Sequence, residues 1–376
     1  MYQILILIFL FITLFITSDA FSQDLRVKIG SFKNIYLSSP LPYGIVQKES
    51  QEVLYQGDLT KEVTVLGRGI DISGIGIYRD PLVIESSSKS FIKINNKRYR
   101  GSLELSVSGD NIKVINIIDL EQFLSGVIGG EMPPKWHEEA LKAQVIASRT
   151  FALKNRGKHK EEGYDFCNGW HCQVYKGVDA ETLEIRKIID ETKGLVLVYN
   201  NILANTPFHS CCGGVTAKSS LVWNGTSEYP YLEYAIDPFC KEAPHQRWRE
   251  IVSEDTIKKK LSKRDSNLGE IYNITPINIG LDGRAKNISI NHSNGELILN
   301  GNEFRLILDP TVIRSTHFID IEKIKDRFVF SGYGWGHGVG LCQWGAKGMA
   351  ESGKNYQEIL RFYYPGTSLK DSSTSN

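Results

Sequence analysis

Short apolar runs of strand length fill the chain from residue 24 to residue 118. They are rich in β-branched residues, alternate partly between apolar and polar positions, and are separated by Gly, Asn, Asp and Pro, as is typical of strands joined by turns. The clearest runs are LRVKIG, IYLSS, EVLYQG, EVTVLG, FIKIN, LELSVSG and IKVINII. No titratable cluster interrupts them, so this part of the chain predicts a β-rich scaffold or a groove wall.

The pattern becomes helical at residue 119. Asp119 and Glu121 open a short helical stretch, and the glycine pair Gly129-Gly130 is expected to end it. Pro133-Pro134 then predicts the start of a second helix, because proline suits the first turn of a helix. The sequence KWHEEALKAQVIASRTFALKNR consists largely of good helix formers and contains no Gly or Pro, so it predicts the body of that helix.

The second predicted helix has faces of different character. Lys142 and Arg149 are seven residues apart and share one face, and Gln144 lies on the same helix. A Lys and an Arg near a carboxylate suit the binding of an anionic substrate, whereas the plain alternative is a solvated helix face. Another face carries small and apolar side chains suited to close packing, namely Leu141, Val145, Ser148 and Ala152.

The rest of the chain mixes both patterns. Residues 157–180 form a predicted loop rich in His, Cys, Gly and aromatic residues, and residues 184–235 return to strands. Residues 250–330 alternate short strands with one charged helix from Glu254 to Lys263. A glycine-rich loop in GYGWGHGVGLCQWGAKGMAESG then leads into a helix. The sequence therefore predicts an α+β fold: a β-rich mixed domain with a central helix and a C-terminal glycine-rich loop plus helix.

The N-terminal segment is almost uninterrupted apolar sequence from Ile4 to Ile16. At about 13 residues it suits the apolar part of a signal peptide better than a membrane span, which needs about 20. Small residues at Ser18, Ala20 and Ser22 fit a cleavage site, although no Lys or Arg precedes the apolar run. We therefore expect residues 1–22 to be a signal peptide and the protein to be exported. An uncleaved anchor and a buried N-terminal segment are the alternatives.

Charge is balanced along the 376 residues, with 44 basic and 43 acidic side chains and a formal net charge of +1. No block of basic residues provides a nucleic-acid footprint, so we expect no nucleic-acid partner. Partners must instead be recognised by local chemistry.

Glu131 is the first candidate for chemistry. It lies between Gly129-Gly130 and Met132-Pro133-Pro134, just ahead of the second predicted helix. The positive end of a helix dipole would lower the pKa of its carboxyl, whereas desolvation by Met and Pro would raise that pKa toward the range of an acid catalyst. A carboxylate that only caps the helix is the alternative.

Six cysteines occur, and several lie close to histidines. His159, Cys167, His171 and Cys172 have the ligand types that zinc prefers, and four protein ligands would make a closed, structural site. A disulfide between Cys167 and Cys172 is the alternative in an exported protein.

A second group of cysteines follows His209 and Ser210 in the sequence HSCCGG. His209 next to Cys211 and Cys212 suggests a nucleophile with a base, but no cysteine-protease signature surrounds them. Pairing of Cys212 with Cys240, or a shared metal ion, are the other possibilities.

The glycine-rich loop from Gly332 to Gly340 matches neither a phosphate loop nor a dinucleotide fingerprint. Alternating glycines and aromatic residues suit a sugar-binding wall. His337 and Gln343 could donate hydrogen bonds there.

Two long blocks of the chain resemble the SpoIID/LytB family. LEQFLSGVIGGEMPPKWHEEALKAQVIASRTFAL resembles its core signature, and GYGWGHGVGLCQWGAKGMAESGKNYQEILRFYYPGTSL resembles its C-terminal signature. FHSCCGGVT, VWNG and YPYLEYAIDPFC fit the middle. The blocks keep the family's order and span about residues 96–369. The resemblance implies a β-rich N-terminal part at 23–95, a SpoIID-like catalytic domain at 96–370 and a disordered tail at 371–376.

The resemblance also implies a function. Characterised members are similar to lytic transglycosylases that cleave peptidoglycan glycan strands stripped of stem peptides, and their E-M-P glutamate falls on Glu131. The helix Lys and Arg fall on Lys142 and Arg149, and a weaker correspondence gives a role to His209. Gln144, Ser210, His337 and Gln343 complete the predicted substrate-binding set.

Some members carry zinc in a His/Cys loop like His159–Cys172. Related accessory proteins instead stimulate a cell-wall amidase, so a non-catalytic glycan-binding protein is the alternative, and a zinc-dependent hydrolase is a third. We expect a monomer.

Overall fold

The computed structural model describes residues 24–79, 81–87, 89–223 and 229–372, and its fold is α+β, as the sequence predicts. The predicted signal peptide lies outside the described residues. Within these ranges, twelve strands precede the first described helix: β1 (Leu25–Phe32), β2 (Asn34–Ser38), β3 (Tyr43–Gln47), β4 (Val53–Gly57), β5 (Lys61–Leu66), β6 (Gly69–Ile72), β7 (Gly76–Tyr78), β8 (Leu82–Ser86), β9 (Ile92–Ile94), β10 (Lys97–Tyr99), β11 (Ser102–Ser108) and β12 (Asn111–Ile118).

Twelve further strands lie between or after the helices: β13 (Phe166–Cys167), β14 (Leu195–Tyr199), β15 (Ile202–Leu203), β16 (Phe208–His209), β17 (Arg247–Ser253), β18 (Ile271–Ile279), β19 (Ala285–His292), β20 (Gly295–Asn300), β21 (Phe318–Ile324), β22 (Arg327–Tyr333), β23 (Leu341–Cys342) and β24 (Ser368–Asp371). The α-helices are α1 (Leu120–Glu131), α2 (Glu138–Lys154), α3 (Leu183–Glu191), α4 (Ser219–Val222), α5 (Glu254–Leu261), α6 (Gly301–Leu308), α7 (Gln343–Glu351) and α8 (Tyr356–Tyr363). Two 3-10 turns span Lys160–Glu162 and Gly177–Ala180.

Two sheets form the β-rich part. The first has seven strands in the order β13-β1-β12-β11-β8-β3-β4, and the second has six in the order β10-β9-β2-β5-β6-β7. Alternate residues of β1, from Leu25 through Val27 to Ile29, are buried, so the strand presents one apolar face to the core. Strands from both sides of residue 95 share the first sheet. The division of the chain into an N-terminal part at 23–95 and a catalytic domain at 96–370 stays a prediction.

Helix α2 is the centre of the main hydrophobic core. Eleven of its 17 residues are buried, including all four of the predicted packing face. It packs against α1, α3, α7 and α8 and against strand β14. A helix that is apolar or small on most sides is suited to such a central position. The predicted central helix is therefore confirmed, although it begins at Glu138 rather than at the proline pair, with His137 as its N-cap.

A second hydrophobic core lies between residues 248 and 330. Sheets β17-β22-β21 and β18-β19-β20 and helices α5 and α6 enclose it, and Phe304, Phe328 and Phe330 are buried in it. The predicted charged helix corresponds to α5. Helix α6, which begins at Gly301 with Asn300 as its N-cap, was not predicted.

One other expectation was wrong, and the start of the predicted tail was misplaced. Residues 183–191 form helix α3 rather than a strand, because Ile185, Ile188 and Ile189 follow a helical period and Thr182 caps the first turn. The predicted tail begins in strand β24, because Asp371 pairs with Leu195; the remainder of the tail, residues 373–376, lies outside the described residues. Among the described residues, no helix is both long and apolar enough to cross a bilayer.

Candidate functional site

Glu131 is the last residue of α1, and its side chain is half-buried. The predicted helix end at Gly129-Gly130 lies one residue before the observed end, but the expectation that Glu131 lies at the start of the next helix was wrong, because α2 begins at Glu138. The helix continues because it packs so closely that a Cβ at Gly130 would lie 2.7 Å from the carbonyl oxygen of Val174. Nor does Glu131 cap α2, since His137 Nδ1 accepts the N–H of Glu139 there.

The surroundings of Glu131 raise the pKa of its carboxyl. Burial is the main cause, and it is opposed by hydrogen bonds from Val174 N–H and the Gln343 side chain and by the positive charge of Lys176. The Val174 bond is short, at 2.7 Å from N to Oε1. A carboxyl at the C-terminal end of a helix also faces the negative end of the dipole, which favours its neutral form. A raised pKa is what a carboxylic acid needs to donate a proton near neutral pH.

Gln343 and Gln144 connect Glu131 to the central helix. Gln343 is the first residue of α7 and is buried, and its Nε2 lies 3.5 Å from Oε1 of Gln144. Gln144 in turn donates to Ser148 Oγ at 3.0 Å. The structure thus brings two predicted site residues, Gln144 and Gln343, next to Glu131. Gln343 contacts the Glu131 carboxyl directly and Gln144 contacts Gln343, so the pair holds the carboxyl in place.

An aromatic pair that the sequence analysis missed lies beside this group. The rings of Trp136 and Trp344 meet edge to face, with centroids 4.8 Å apart, and both side chains are half-buried. Trp136 follows Glu131 by five residues, and Trp344 comes directly after Gln343. The signal in the sequence that could have identified the pair is a tryptophan within five residues of each of these two predicted site residues.

Lys142 is engaged by carboxylates of the protein itself. Its ammonium pairs with Glu138 on the same helix, with Glu139 at 3.4 Å and with Glu191 of α3 at 3.0 Å. The hydrogen bond to Glu138, with those other acidic neighbours, raises the pKa of Lys142. These contacts join α2 to α3 and do not support the predicted substrate-binding role.

Arg149 is fully buried, which is incompatible with the predicted contact to a substrate in this conformation. Its guanidinium binds both carboxylate oxygens of Glu121, and it also donates to the carbonyl oxygen of Leu195. Arg149 and Lys142 therefore do not form one cationic face, because the helix that carries them is covered on nearly every side.

His209 and His337 form a second polar region, with ring centroids 5.5 Å apart. His209 Nδ1 lies 3.2 Å from the carbonyl oxygen of Val339, and its Nε2 is buried without a hydrogen-bond partner among the described residues. Burial, aided by the charge of Arg284, lowers the pKa of His209 to about 3, and burial also lowers the pKa of His337. Both rings are therefore neutral at physiological pH.

The glycine-rich loop packs closely on the strand that carries His209. Gly336 has a φ of +120°, and a Cβ there would lie 2.6 Å from the Cβ of His209. Ser210, another predicted substrate contact, accepts the backbone N–H of Trp344 through its carbonyl oxygen at 3.1 Å. Strand β16 pairs in parallel with β23, and His209 is opposite Cys342 in that register, so these predicted residues lie beside the strand that leads into Gln343.

The predicted metal ligands converge. The ligand atoms of His159, Cys167, His171 and Cys172 all lie within 4.8 Å of one another. Cys172 Sγ is 3.5 Å from His159 Nε2 and 3.6 Å from His171 Nδ1. Ligands bound to zinc at about 2.0–2.3 Å in a tetrahedron are separated by about 3.3–3.8 Å, so the four residues fit the ion.

Contacts around this cluster suit a zinc site as well. His159 Nδ1 bonds to Glu162 Oε1 at 2.8 Å, and a carboxylate behind a metal-binding histidine fixes the ring for coordination through its other nitrogen. All six thiols are free, including Cys167 and Cys172, as well as Cys212 and Cys240, whose sulfurs are 3.4 Å apart. Cys211 and Cys212 are both buried, which disfavours a nucleophilic role for either thiol.

Two concave surfaces lie away from Glu131. One, of about 510 Å³, is lined by residues that include Trp223, Arg264 and Asn302, and the other, of about 360 Å³, by residues that include Glu85 and Asp119. Neither brings together titratable groups with shifted pKa values. The hydrogen bonds and raised pKa of Glu131 identify the candidate site better than cavity volume does.

Comparison with known proteins identifies the family of this chain. The family model described as stage II sporulation protein matches residues 108–199, which include Glu131 and the predicted His/Cys metal ligands, and a model for a domain of unknown function matches residues 239–340. An uncharacterized protein of Brachyspira hyodysenteriae is 32% identical over 312 residues, which cover 82% of this chain and 81% of the relative.

Two relatives from Bacillus subtilis carry functional names. Stage II sporulation protein D is 30% identical over 275 residues, covering 68% of this chain and 75% of the relative. The protein named amidase enhancer is 29% identical over 348 residues, covering 80% of this chain but only 48% of the longer relative. The chain belongs to the SpoIID/LytB family.

Proposed function

We propose that this protein is a lytic transglycosylase that cleaves the bond between N-acetylmuramic acid and N-acetylglucosamine in peptidoglycan strands. The observation that carries the proposal is the half-buried carboxyl of Glu131, whose pKa is raised by burial and whose Oε1 is held by Val174 N–H. A positioned carboxyl with a raised pKa is suited to general acid catalysis. The relative named amidase enhancer supports a role at the cell wall, and peptidoglycan is the substrate that the family resemblance implies.

In the first step, the protonated carboxyl of Glu131 donates its proton to the glycosidic oxygen. The bond between that oxygen and C1 of the muramic residue breaks, and positive charge develops on the sugar ring, as in other glycosidic cleavages. The N-acetylglucosamine part leaves with a new hydroxyl.

In the second step, Glu131 is a carboxylate and accepts the proton of the muramic C6 hydroxyl. The C6 oxygen bonds to C1, which gives a 1,6-anhydro end and restores the protonated carboxyl. The nucleophile belongs to the substrate, so no water is consumed and no second carboxylate is needed, in contrast to the pair used by ordinary glycosidases.

The neighbours of Glu131 have distinct roles in this scheme. Val174 and Gln343 stabilise the carboxylate that forms after proton donation, because both hydrogen bonds favour its charged form. Trp136 and Trp344 offer indole surfaces for stacking against the sugar rings of the strand. His209 and His337 are neutral and so contribute hydrogen bonds rather than charge.

Lys176 is the cation best placed to bind the lactyl carboxylate of N-acetylmuramic acid. Its side chain is exposed, and its charge acts on the Glu131 carboxyl. Lys142 and Arg149, which the family resemblance implied for such a role, are held by Glu138, Glu191 and Glu121. Their effect on activity is then indirect, through the packing of α2.

The cluster of His159, Cys167, His171 and Cys172 would hold a structural zinc ion. Four protein ligands close the coordination sphere, so the ion would fix the loop rather than activate water. Val174 follows Cys172 by two residues. The ion would therefore hold the backbone N–H that binds Glu131. A closed site argues against a zinc-dependent hydrolase.

A second candidate function is activation of a cell-wall amidase without glycan cleavage. The relative named amidase enhancer favours it. Both functions place the protein at the cell envelope with glycan strands as a partner, and export through the predicted signal peptide is part of this proposal.

Product analysis separates the candidates. The purified protein is incubated with peptide-free glycan strands, and the ends are identified by mass spectrometry. We expect 1,6-anhydromuramic ends. Reducing ends would indicate hydrolysis and contradict transglycosylation. Glycan that is bound but uncut, together with faster release of stem peptides by a cell-wall amidase, would favour the activator.

A further inference from the structure

A second group of potential metal ligands is buried between the β16 strand and α7. It comprises Cys212, Asp237, Cys240 and Cys342, whose ligand atoms all lie within 4.8 Å of one another. All four side chains are buried, with at most 1% of the residue exposed. Three segments distant in sequence therefore deliver three thiols and a carboxylate to one point in the core.

The distances within this group fit one tetrahedral ion. Cys212 Sγ lies 3.4 Å from Cys240 Sγ and 3.2 Å from Asp237 Oδ2. Thiolates bound to one zinc ion at about 2.3 Å are separated by about 3.8 Å. Two sulfurs in a disulfide are about 2.0 Å apart, so the pair is not bonded. A Cys212–Cys240 disulfide would also leave the Cys342 thiol and the Asp237 carboxyl buried beside it, although neither group takes part in that bond.

Backbone groups are arranged to support sulfur anions here. Cys342 is the N-cap of α7, and its Sγ accepts the N–H of Gly345 at 3.3 Å and that of Cys212 at 3.2 Å. The N–H of Gly214 points to Cys212 Sγ at 3.4 Å. A helix N-terminus and N–H donors stabilise a thiolate, which is the form that binds metal.

A buried cation, which is itself 3.8 Å from the Asp282 carboxylate, offsets part of the remaining charge. Arg284 is 2% exposed and donates from Nη2 to the carbonyl oxygen of Cys212 at 2.6 Å. Three thiolates and one carboxylate exceed the two positive charges of a zinc ion, so a neighbouring guanidinium lowers the cost of burying the site. The Asp237 carboxylate is also oriented, since Tyr363 OH donates to its Oδ2 at 2.9 Å.

We propose that Cys212, Asp237, Cys240 and Cys342 bind one zinc ion, forming a second structural site separate from the His/Cys loop. The ion joins the turn after β16, the segment around residue 240 and the start of α7. Gln343 directly follows Cys342, so the ion also fixes the residue that donates to Glu131. The two zinc sites would thus hold Gln343 and Val174, both of which donate hydrogen bonds to Glu131, from two separate parts of the chain.

The test is zinc content of the purified full chain, measured without substrate, so it does not depend on the proposed activity. We expect two zinc ions per wild-type chain and one in the double variant Cys167→Ser/Cys172→Ser. Adding Cys240→Ser to that variant should remove the remaining ion. Cobalt exchanged into the double variant should show thiolate-to-cobalt charge-transfer absorption, which reports sulfur ligands directly.

The buried Cys211 thiol also contacts the thiols of Cys240 and Cys342, so Cys211→Ser tests whether Cys211, rather than Asp237, is the fourth ligand. That variant should retain both ions, whereas Asp237→Asn should weaken binding of the second ion by about tenfold or more. No zinc and no cobalt charge transfer in the double variant would overturn the proposal. So would a Cys212–Cys240 disulfide in the unreduced protein, or zinc lost from Cys211→Ser but kept in Asp237→Asn. If the Cys240→Ser variant fails to fold, the wild-type stoichiometry and the double-variant cobalt spectrum decide alone.

Discussion

Arg149 of the central helix binds both carboxylate oxygens of Glu121, from Nε to Oε1 at 2.8 Å and from Nη2 to Oε2 at 2.7 Å. The arginine is fully buried, and Glu121 lies in the first turn of α1, whose last residue is Glu131. This fork-to-fork pair fixes α1 on α2 and so determines where the candidate acid lies. An arginine in the family signature is therefore a structural part of the site here.

Arg149→Met should destabilise the protein by about 3–5 kcal/mol, because it leaves the Glu121 carboxylate without its buried partner. Urea unfolding followed by circular dichroism measures the change in free energy. The double variant Arg149→Met/Glu121→Leu should recover part of the loss, since no unpaired charge remains. Normal stability of Arg149→Met with a raised KM would instead favour the substrate-binding role.

Gln343→Leu should move the pH dependence of kcat/KM. Loss of a donor to the Glu131 carboxylate disfavours its charged form, so the pKa of Glu131 rises further. Activity needs the protonated acid and falls as pH rises through that pKa. The alkaline limb should therefore move to higher pH by about one unit, because the free energy of one such hydrogen bond corresponds to a pKa shift of about that size. Gln357→Leu, at an exposed position of α8, is the control. An unmoved limb would refute the contact.

Lys176→Gln should raise KM for glycan strands by roughly tenfold, with a smaller effect on kcat, because it removes a charge-assisted contact to the lactyl carboxylate. Lys193→Gln, which also removes an exposed lysine, should leave KM unchanged. Strands in which the lactyl carboxyl is reduced to an alcohol should bind wild type and Lys176→Gln equally. A KM that rises only in Lys142→Gln would contradict this assignment.

Cys167→Ser/Cys172→Ser should lose one zinc ion and reduce kcat, because the loop that presents Val174 N–H to Glu131 is no longer fixed. Metal analysis and kinetics on the same preparation measure both effects. Chelation of the wild type should reproduce the loss, and added zinc should restore it. A Cys167–Cys172 disulfide in the unreduced wild type would contradict the zinc site.

Local patterns predicted the helices that carry the site better than they predicted where those helices end. Helical period and composition identified α1, α2 and α7. The end of α1 was misplaced because a Gly-Gly pair is a stop signal locally, whereas here Gly130 allows close packing against Val174. Helix α3 was missed because its isoleucines also suit a strand.

Side-chain partners supplied by distant segments could not be predicted. The grouping of His159, Cys167, His171 and Cys172 was predicted correctly from their spacing alone, because the four residues are close in sequence. In contrast, the burial of Arg149 depends on Glu121 and on α3, and the sequence suggested only the Cys212–Cys240 part of the second cluster, without Asp237 and Cys342. Cysteines that far apart carry no pairing information in a single sequence.

The most direct test of the central claim compares Glu131→Gln with the wild type on peptide-free glycan strands. Glutamine can still accept Val174 N–H, so the fold should persist while the proton donor is lost. We predict that formation of 1,6-anhydromuramic ends falls by about 10²–10⁴-fold. Glu161→Gln, at an exposed position, should retain full activity. Anhydro ends formed by Glu131→Gln at the wild-type rate would contradict the account.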